Sequence, residues 1–115
     1  MRIRTYLETD LQAIVRLWND CVSAGEVLYR PLAEAYFKEK FLGFAGTEIF
    51  VAEEDGKLCG FLAGCRQVSF LPGQTEENTP AYLSVIMVDP AYRRRGAGSA
   101  LLAAFEAHYA LMSTD

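Results

Sequence analysis

The run "AYLSVIMVDPAYRRRGAGSALL", from Ala81 to Leu102, leaves few folds open. Ala81–Val88 is nearly continuous in apolar residues, the pattern of a strand buried within a sheet, and Asp89-Pro90 ends it. From about Gly96, residues Ala97, Ala100, Leu101, Ala104, Phe105 and His108 recur at helical spacing. A buried strand therefore feeds an amphipathic helix through Arg93, Arg94 and Arg95 and the small-residue turn Gly96-Ala97-Gly98. Three uses of such a turn are open: a nucleic-acid patch, a phosphate cradle, or a solvated basic helix start with glycines for close packing.

Charge and physics narrow these uses. The chain has 115 residues with a net charge of −4, and outside the arginine triplet its basic residues are mixed with acids. A polymer of phosphates selects a broadly basic surface, so a small anion fits better than nucleic acid. A helix start offers backbone N–H groups without intrahelical partners and a partial positive charge. Gly96 and Gly98 have no side chains to keep a ligand from those groups, and the arginines add charge beside them. The string is neither the GxGxxG of a dinucleotide site nor a P-loop, which would need Lys followed by Ser or Thr.

The rest of the chain reads as a single α/β domain over residues 1–115. Ile3–Leu7 alternates like an opening strand. In "TDLQAIVRLWNDCV", Thr9 and Gln12 have the capping-box spacing, and Leu11, Ile14, Val15 and Trp18 share one helical face. "PLAEAYFKEKFL" predicts a second helix opening at Pro31. "TEIFVAEEDGKLCGFLAGCRQVSF" predicts a hairpin turning at Asp55-Gly56, with Cys59, Phe61, Ala63 and Cys65 on one face. "LPGQTEENTP" is a loop.

Cys21, Cys59 and Cys65 are odd in number and lack CxxC spacing, which predicts reduced thiols and a cytoplasmic location. With His108 as the single histidine, no histidine-rich metal site is expected. The helical spacing puts His108 on or beside a buried face rather than in a catalytic role. "MRIRTYLETD" has neither signal-peptide nor anchor character, and no membrane contact is expected.

The phrase Val88-x-Pro90-x-x-Arg93-x-x-Gly96-x-Gly98 closely resembles the acyl-CoA-binding motif of the GCN5-related N-acetyltransferase (GNAT) family. The resemblance extends over the chain, in the order strand, helix, helix, hairpin, strand, helix. It implies a GNAT-like mixed, mostly antiparallel sheet flanked by helices, and transfer of an acetyl group from acetyl-CoA to a small-molecule or peptide amine, with no metal. By the same resemblance, backbone N–H groups from Arg94 through Arg95, Gly96, Ala97 and Gly98 to Ser99 would hold the coenzyme A pyrophosphate. Ile86, Met87 and Val88 would pair with the pantetheine arm, and an N–H of Met87 or Val88 would polarise the thioester carbonyl. Arg93 is expected to position the turn, and Arg94 and Arg95 to reach phosphate.

No catalytic residue is assigned. The motif strand has no carboxylate, Ser84 and Tyr82 read as packing or hydrogen-bonding groups, and Glu53 and Glu54 read as solvated. The family's usual tyrosine acid follows a further strand; Tyr109 lies on the motif helix and does not match it. The C-terminal strands of the fold are expected to be missing, leaving the edge at Ala81–Val88 for a longer acetyltransferase, a tandem second domain or a second copy to cover. A non-catalytic module that binds coenzyme A, the first half of a tandem protein, is the alternative to an enzyme. Acceptor contacts are expected from Phe70–Thr79 and the segment around Glu26–Arg30.

Overall fold

Among the described residues a four-stranded sheet organises the protein, in the order β1 (Arg2–Thr5), β2 (Thr47–Glu54), β3 (Lys57–Cys65), β4 (Tyr82–Val88), with every neighbouring pair antiparallel. The computed structural model describes residues 1–25, 30–43, 47–65 and 82–112. The loop expected at Phe70–Thr79 and most of the segment around Glu26–Arg30 lie outside the described residues.

Both faces of the sheet are covered. Helix α1 (Leu11–Ser23) buries Leu11, Ile14, Leu17, Trp18 and Cys21 against Ile49, Val51, Phe61, Ala63, Val85 and Met87. Helix α3 (Ala97–Met112) buries Ala97, Leu101 and Phe105 against Phe50, Ala52, Cys59 and Leu62 on the opposite face. Burial on two sides explains the unbroken buried runs in the middle of β2 and β3. The β2–β3 turn is the one expected: Asp55 and Gly56 both take positive φ, 53° and 77°, as a hairpin turn matched to strand twist requires.

Four local expectations change. In β3, Ala52 pairs with Gly60 and Glu53 with Leu58, so Cys59 is an extra, unpaired residue. This bulge turns Cys59 to the α3 face with Leu62, away from Phe61 and Ala63. Burial, foremost, pushes the Cys59 thiol up, which suits a packing role. The second helix is short. It runs over Glu34–Phe37 (α2) and continues as a wide π-helical turn, Lys38–Leu42. The chain before it stays extended because the Asn19 side chain donates to Leu32 O (3.0 Å) and accepts from Leu32 N–H (2.7 Å), while the Trp18 indole N–H donates to Arg30 O (2.8 Å). The wide turn stacks Phe41 on Phe37, with ring centroids 5.0 Å apart, and sets Phe41 against Trp18. The strand expected to be central, β4, pairs only with β3 among the described residues, and Leu83 and Ile86 on it are exposed.

The fourth change concerns the start of α1. Asp10, not Thr9, organises it, after a 3-10 turn over Glu8–Asp10. The Asp10 carboxylate accepts the Leu7 N–H (2.7 Å) and a two-pronged contact from Arg4 (2.8 and 2.9 Å). Arg4 also reaches Glu53 at 3.1 Å, so Glu53 belongs to an ion-pair network rather than to solvent. A paired carboxylate outcompetes a threonine hydroxyl here because charge-assisted bonds are the stronger kind. The Arg4 hydrogen bonds hold the Asp10 carboxyl below the usual carboxylate range, against the opposing effect of burial.

Asp10→Ala should cost roughly 2–4 kcal/mol in a denaturant titration, because it strands a partly buried guanidinium and the Leu7 N–H. A loss below about 0.5 kcal/mol would show that water replaces the network. Because the folded-state pKa of Asp10 is lowered, its contribution is present above the normal carboxylate pKa and is lost as pH falls through the lowered value. Asp10→Asn should therefore flatten the acid limb of the stability–pH curve.

Candidate functional site

The link from β4 to α3 is fixed residue by residue. The Asp89 N–H donates to Cys59 O (2.8 Å), and the Asp89 carboxylate accepts from the Ala91 N–H (2.9 Å). This seats a 3-10 turn over Pro90–Tyr92. Two left-handed residues then reverse the chain, Arg94 at φ 67° and Gly96 at φ 85°. Gly96 O accepts the Ala100 N–H (2.9 Å), the first bond of the helix. The N–H groups of Ala97, Gly98 and Ser99 therefore lie in the turn that has no intrahelical acceptors.

Beside this turn lies a cavity of about 410 Å³. It brings together Ile86 and Val88 from β4, Arg93, Arg94 and Gly96 from the turn, and Ala97, Gly98 and Ser99 from α3. Two of the residues expected at the site do not send their side chains into it. The Met87 side chain is buried in the core on the α1 face. Arg95 turns to Glu54, with nitrogen and oxygen 3.4 Å apart, and lies over the Tyr92 ring at 5.2 Å. Glu54 is thus partnered while still partly exposed.

Backbone direction separates Met87 from Val88. Asp89 donates to β3, and the Met87 carbonyl oxygen lies 3.1 Å from the position a Cβ would take on Gly60 of β3. Polar groups alternate sides along a strand, so residues 87 and 89 face β3 while Ile86 and Val88 turn theirs to the open edge of β4. Of the two donors expected for a thioester carbonyl, Val88 is the one that faces outward. Nearer the start of β4, Ala63 pairs with Val85 and Gly64 with Leu83, so Ser84 is a bulge residue, exposed at the edge.

The cavity fits an extended anionic ligand. A Cβ on Gly98 would meet only Val88 Cγ2, at 3.9 Å, so this glycine leaves space that a larger side chain would take. Charge comes from Arg93, Arg94 and the helix start. The lining contains no carboxylate and no imidazole among the described residues. His108 is outside it, edge-on to Phe50 (5.7 Å) and 3.6 Å from Glu48. The side chains of Tyr82 and Tyr109 lie outside the described residues.

Sequence reasoning missed Tyr92 and Gly60. Tyr92 lines the cavity and is held by two cations, Lys57 at 5.4 Å and Arg95 at 5.2 Å from the ring centroid. Its signal was an aromatic beside the arginines, legible only with Lys57 folded next to it. Gly60 gave the signal of a glycine inside a strand, which marks close backbone approach.

No curated protein matches the sequence. Among solved structures, an acetyltransferase from Vibrio fischeri is similar at TM-score 0.74 and 20% identity, covering 100% of this chain and 91% of that one. The aminoglycoside 6'-N-acetyltransferase AAC(6')-IG from Acinetobacter haemolyticus is similar at TM-score 0.72 and 22% identity, covering 100% and 76%. AAC(6')-Iy in complex with a CoA-containing bisubstrate analogue is similar at TM-score 0.70 and 23% identity, covering 96% and 71%. At these identities the likeness is one of fold. The sequence model of the acetyltransferase (GNAT) family matches residues 11–112, nearly the whole chain, and with the strand–turn–helix cradle in place the protein belongs to the GNAT acetyltransferase family.

Proposed function

We propose that this chain binds acetyl-CoA at the β4–α3 cradle and supports transfer of its acetyl group to a small-molecule amine. The observation that carries this reading is the glycine-lined start of α3, with its unpartnered turn of N–H groups beside the outward-facing backbone of Val88. Acetyl-CoA supplies the activated acetyl group. The N–H groups of Gly96 to Ser99 would receive its pyrophosphate, with Arg93 and Arg94 adding positive charge. Ile86 and Val88 would bond its amide-bearing arm along the strand edge. A fixed N–H at Val88 would stabilise the negative charge that grows on the thioester oxygen as an amine attacks. Aminoglycoside N-acetyltransferases among the similar structures support a small-molecule acceptor. Cys21, Cys59 and Cys65, none of them in a disulfide and the first two buried, support a reducing, cytoplasmic setting.

One observation favours a second reading, a module that binds the cofactor without turnover: the described cavity lining offers no carboxylate or imidazole to move a proton. Thiol release separates the two. An enzyme frees coenzyme A faster when amines are added, and a binding module does not.

Calorimetric titration should show saturable binding of acetyl-CoA and none of nicotinamide dinucleotides. Gly98→Val should weaken acetyl-CoA at least about a hundredfold, because its side chain would fill the space in front of the N–H groups. The melting temperature should move by no more than about 4 °C, since a Cβ there meets only an ordinary contact. A folded Gly98→Val protein that keeps full affinity would move the cofactor elsewhere. Gly96→Ala should instead lower stability by about 1 kcal/mol or more, because its φ of 85° strains any other L-residue.

A further inference from the structure

On the other face of the sheet, a cavity of about 590 Å³ opens between α1 and the segment leading through α2, and the cofactor reading does not use it. Its size is that of a small-molecule site. Trp18, Leu32, Tyr36 and Phe41 make it largely apolar, and Arg30 and Lys40 complete the lining. The wall is built in advance of any ligand. Trp18 is buried, stacks on Phe61 and donates its indole N–H to Arg30 O, and Asn19 grips Leu32 through both its polar backbone groups. Tyr36 is half exposed at 53%.

The charge of this cavity is one-sided. Among the described residues its lining has two cations and no carboxylate. The neighbouring acid, Glu39, lies 3.9 Å from Lys40, but both side chains are well exposed, and such a pair is weak. A polycation would be repelled here, whereas an apolar ligand carrying a carboxylate would satisfy both the rings and the cations. The cavity lies on the α1 side of the sheet, the side away from the cofactor cradle. Trp18 packs on Phe61, and Phe61 pairs with Met87 of β4. Val85 and Met87 face this side, while Ile86 and Val88 face the cofactor cradle. The two cavities thus lie on opposite faces of the sheet.

We infer that this cavity holds the acceptor, and that the acceptor is a primary amine with a large apolar body and a carboxylate, as in a free amino acid with an apolar side chain. The assignment deepens the proposed function and rests on it. Transfer forms the N–C bond, breaks the C–S bond and moves one proton from the amine nitrogen to the leaving sulfur, with no other reactant.

Trp18 is the single tryptophan of the chain, so its fluorescence reports this wall alone. The probes are L-phenylalanine and L-leucine, against 2-phenylethylamine and isopentylamine, which lack the carboxylate. The amino acids should shift Trp18 emission saturably, with the simple amines at least about tenfold weaker. Combining Arg30→Gln with Lys40→Gln should cost the amino acids a similar factor and leave acetyl-CoA affinity, measured by calorimetry, unchanged. Simple amines that bind as tightly as the amino acids, or a double variant with full amino-acid affinity, would overturn the assignment. Amino acids that never perturb Trp18 in a chain that binds acetyl-CoA would overturn the assignment alone. A chain that fails to bind acetyl-CoA overturns the proposed function, and the acceptor role with it, whatever Trp18 reports.

Discussion

Helix α3 packs Leu101 over Gly60, and the geometry of the cradle depends on that contact. A Cβ on Gly60 would sit 3.1 Å from Met87 O and 3.4 Å from Leu101 Cδ1. With no side chain in the way, Leu101 is fully buried, Ala97 nearly so, and the first turn of α3 is brought up beside Val88. The same contact aligns two sets of backbone groups that come from different elements. One is the unpartnered N–H groups of the helix start, and the other is the outward-facing half of the β4 edge. Neither set would hold an extended anionic ligand alone. Together they offer a charged end and a hydrogen-bonding track.

The three arginines that crowd this turn have divided roles. Arg95 is engaged by Glu54 and by the Tyr92 ring, which Lys57 also approaches. Arg93 and Arg94 line the cavity, and Arg94 takes a left-handed backbone conformation to do so. Such a conformation costs a non-glycine residue of order 1 kcal/mol, and it is held here by the turn on either side. An acidic protein can therefore present a local cationic site. Among the described residues, Asp10 and Glu53 engage Arg4, Glu54 engages Arg95, and Asp89 accepts a turn N–H.

Much of this was legible in the residue order, and the gaps have physical causes. The Asp55-Gly56 hairpin, the apolar stripe of α1 and the strand–turn–helix phrase are local signals, and each formed where local chemistry placed it. Eight of the ten residues expected at the cofactor site line one cavity. Met87 could not be separated from Val88 without knowing which side of β4 carries β3. The bulges at Cys59 and Ser84 shift a strand's register by a single residue, and alternation alone does not reveal them. The capping role of Asp10 was hidden because its partner Arg4 lies on a strand, and the shortened α2 because Asn19 and Trp18 hold the preceding chain extended. In each case a tertiary bond overrode a local preference.

The role of the cradle rests on where the cofactor touches the backbone. The most direct measurement is amide-resolved NMR of the ¹⁵N-labelled chain titrated with acetyl-CoA. The largest shifts should fall on the N–H groups of Gly96, Ala97, Gly98 and Ser99, with a second group at Ile86 and Val88 and little change at Met87. Binding that perturbs other amides and leaves the start of α3 unmoved would contradict that role.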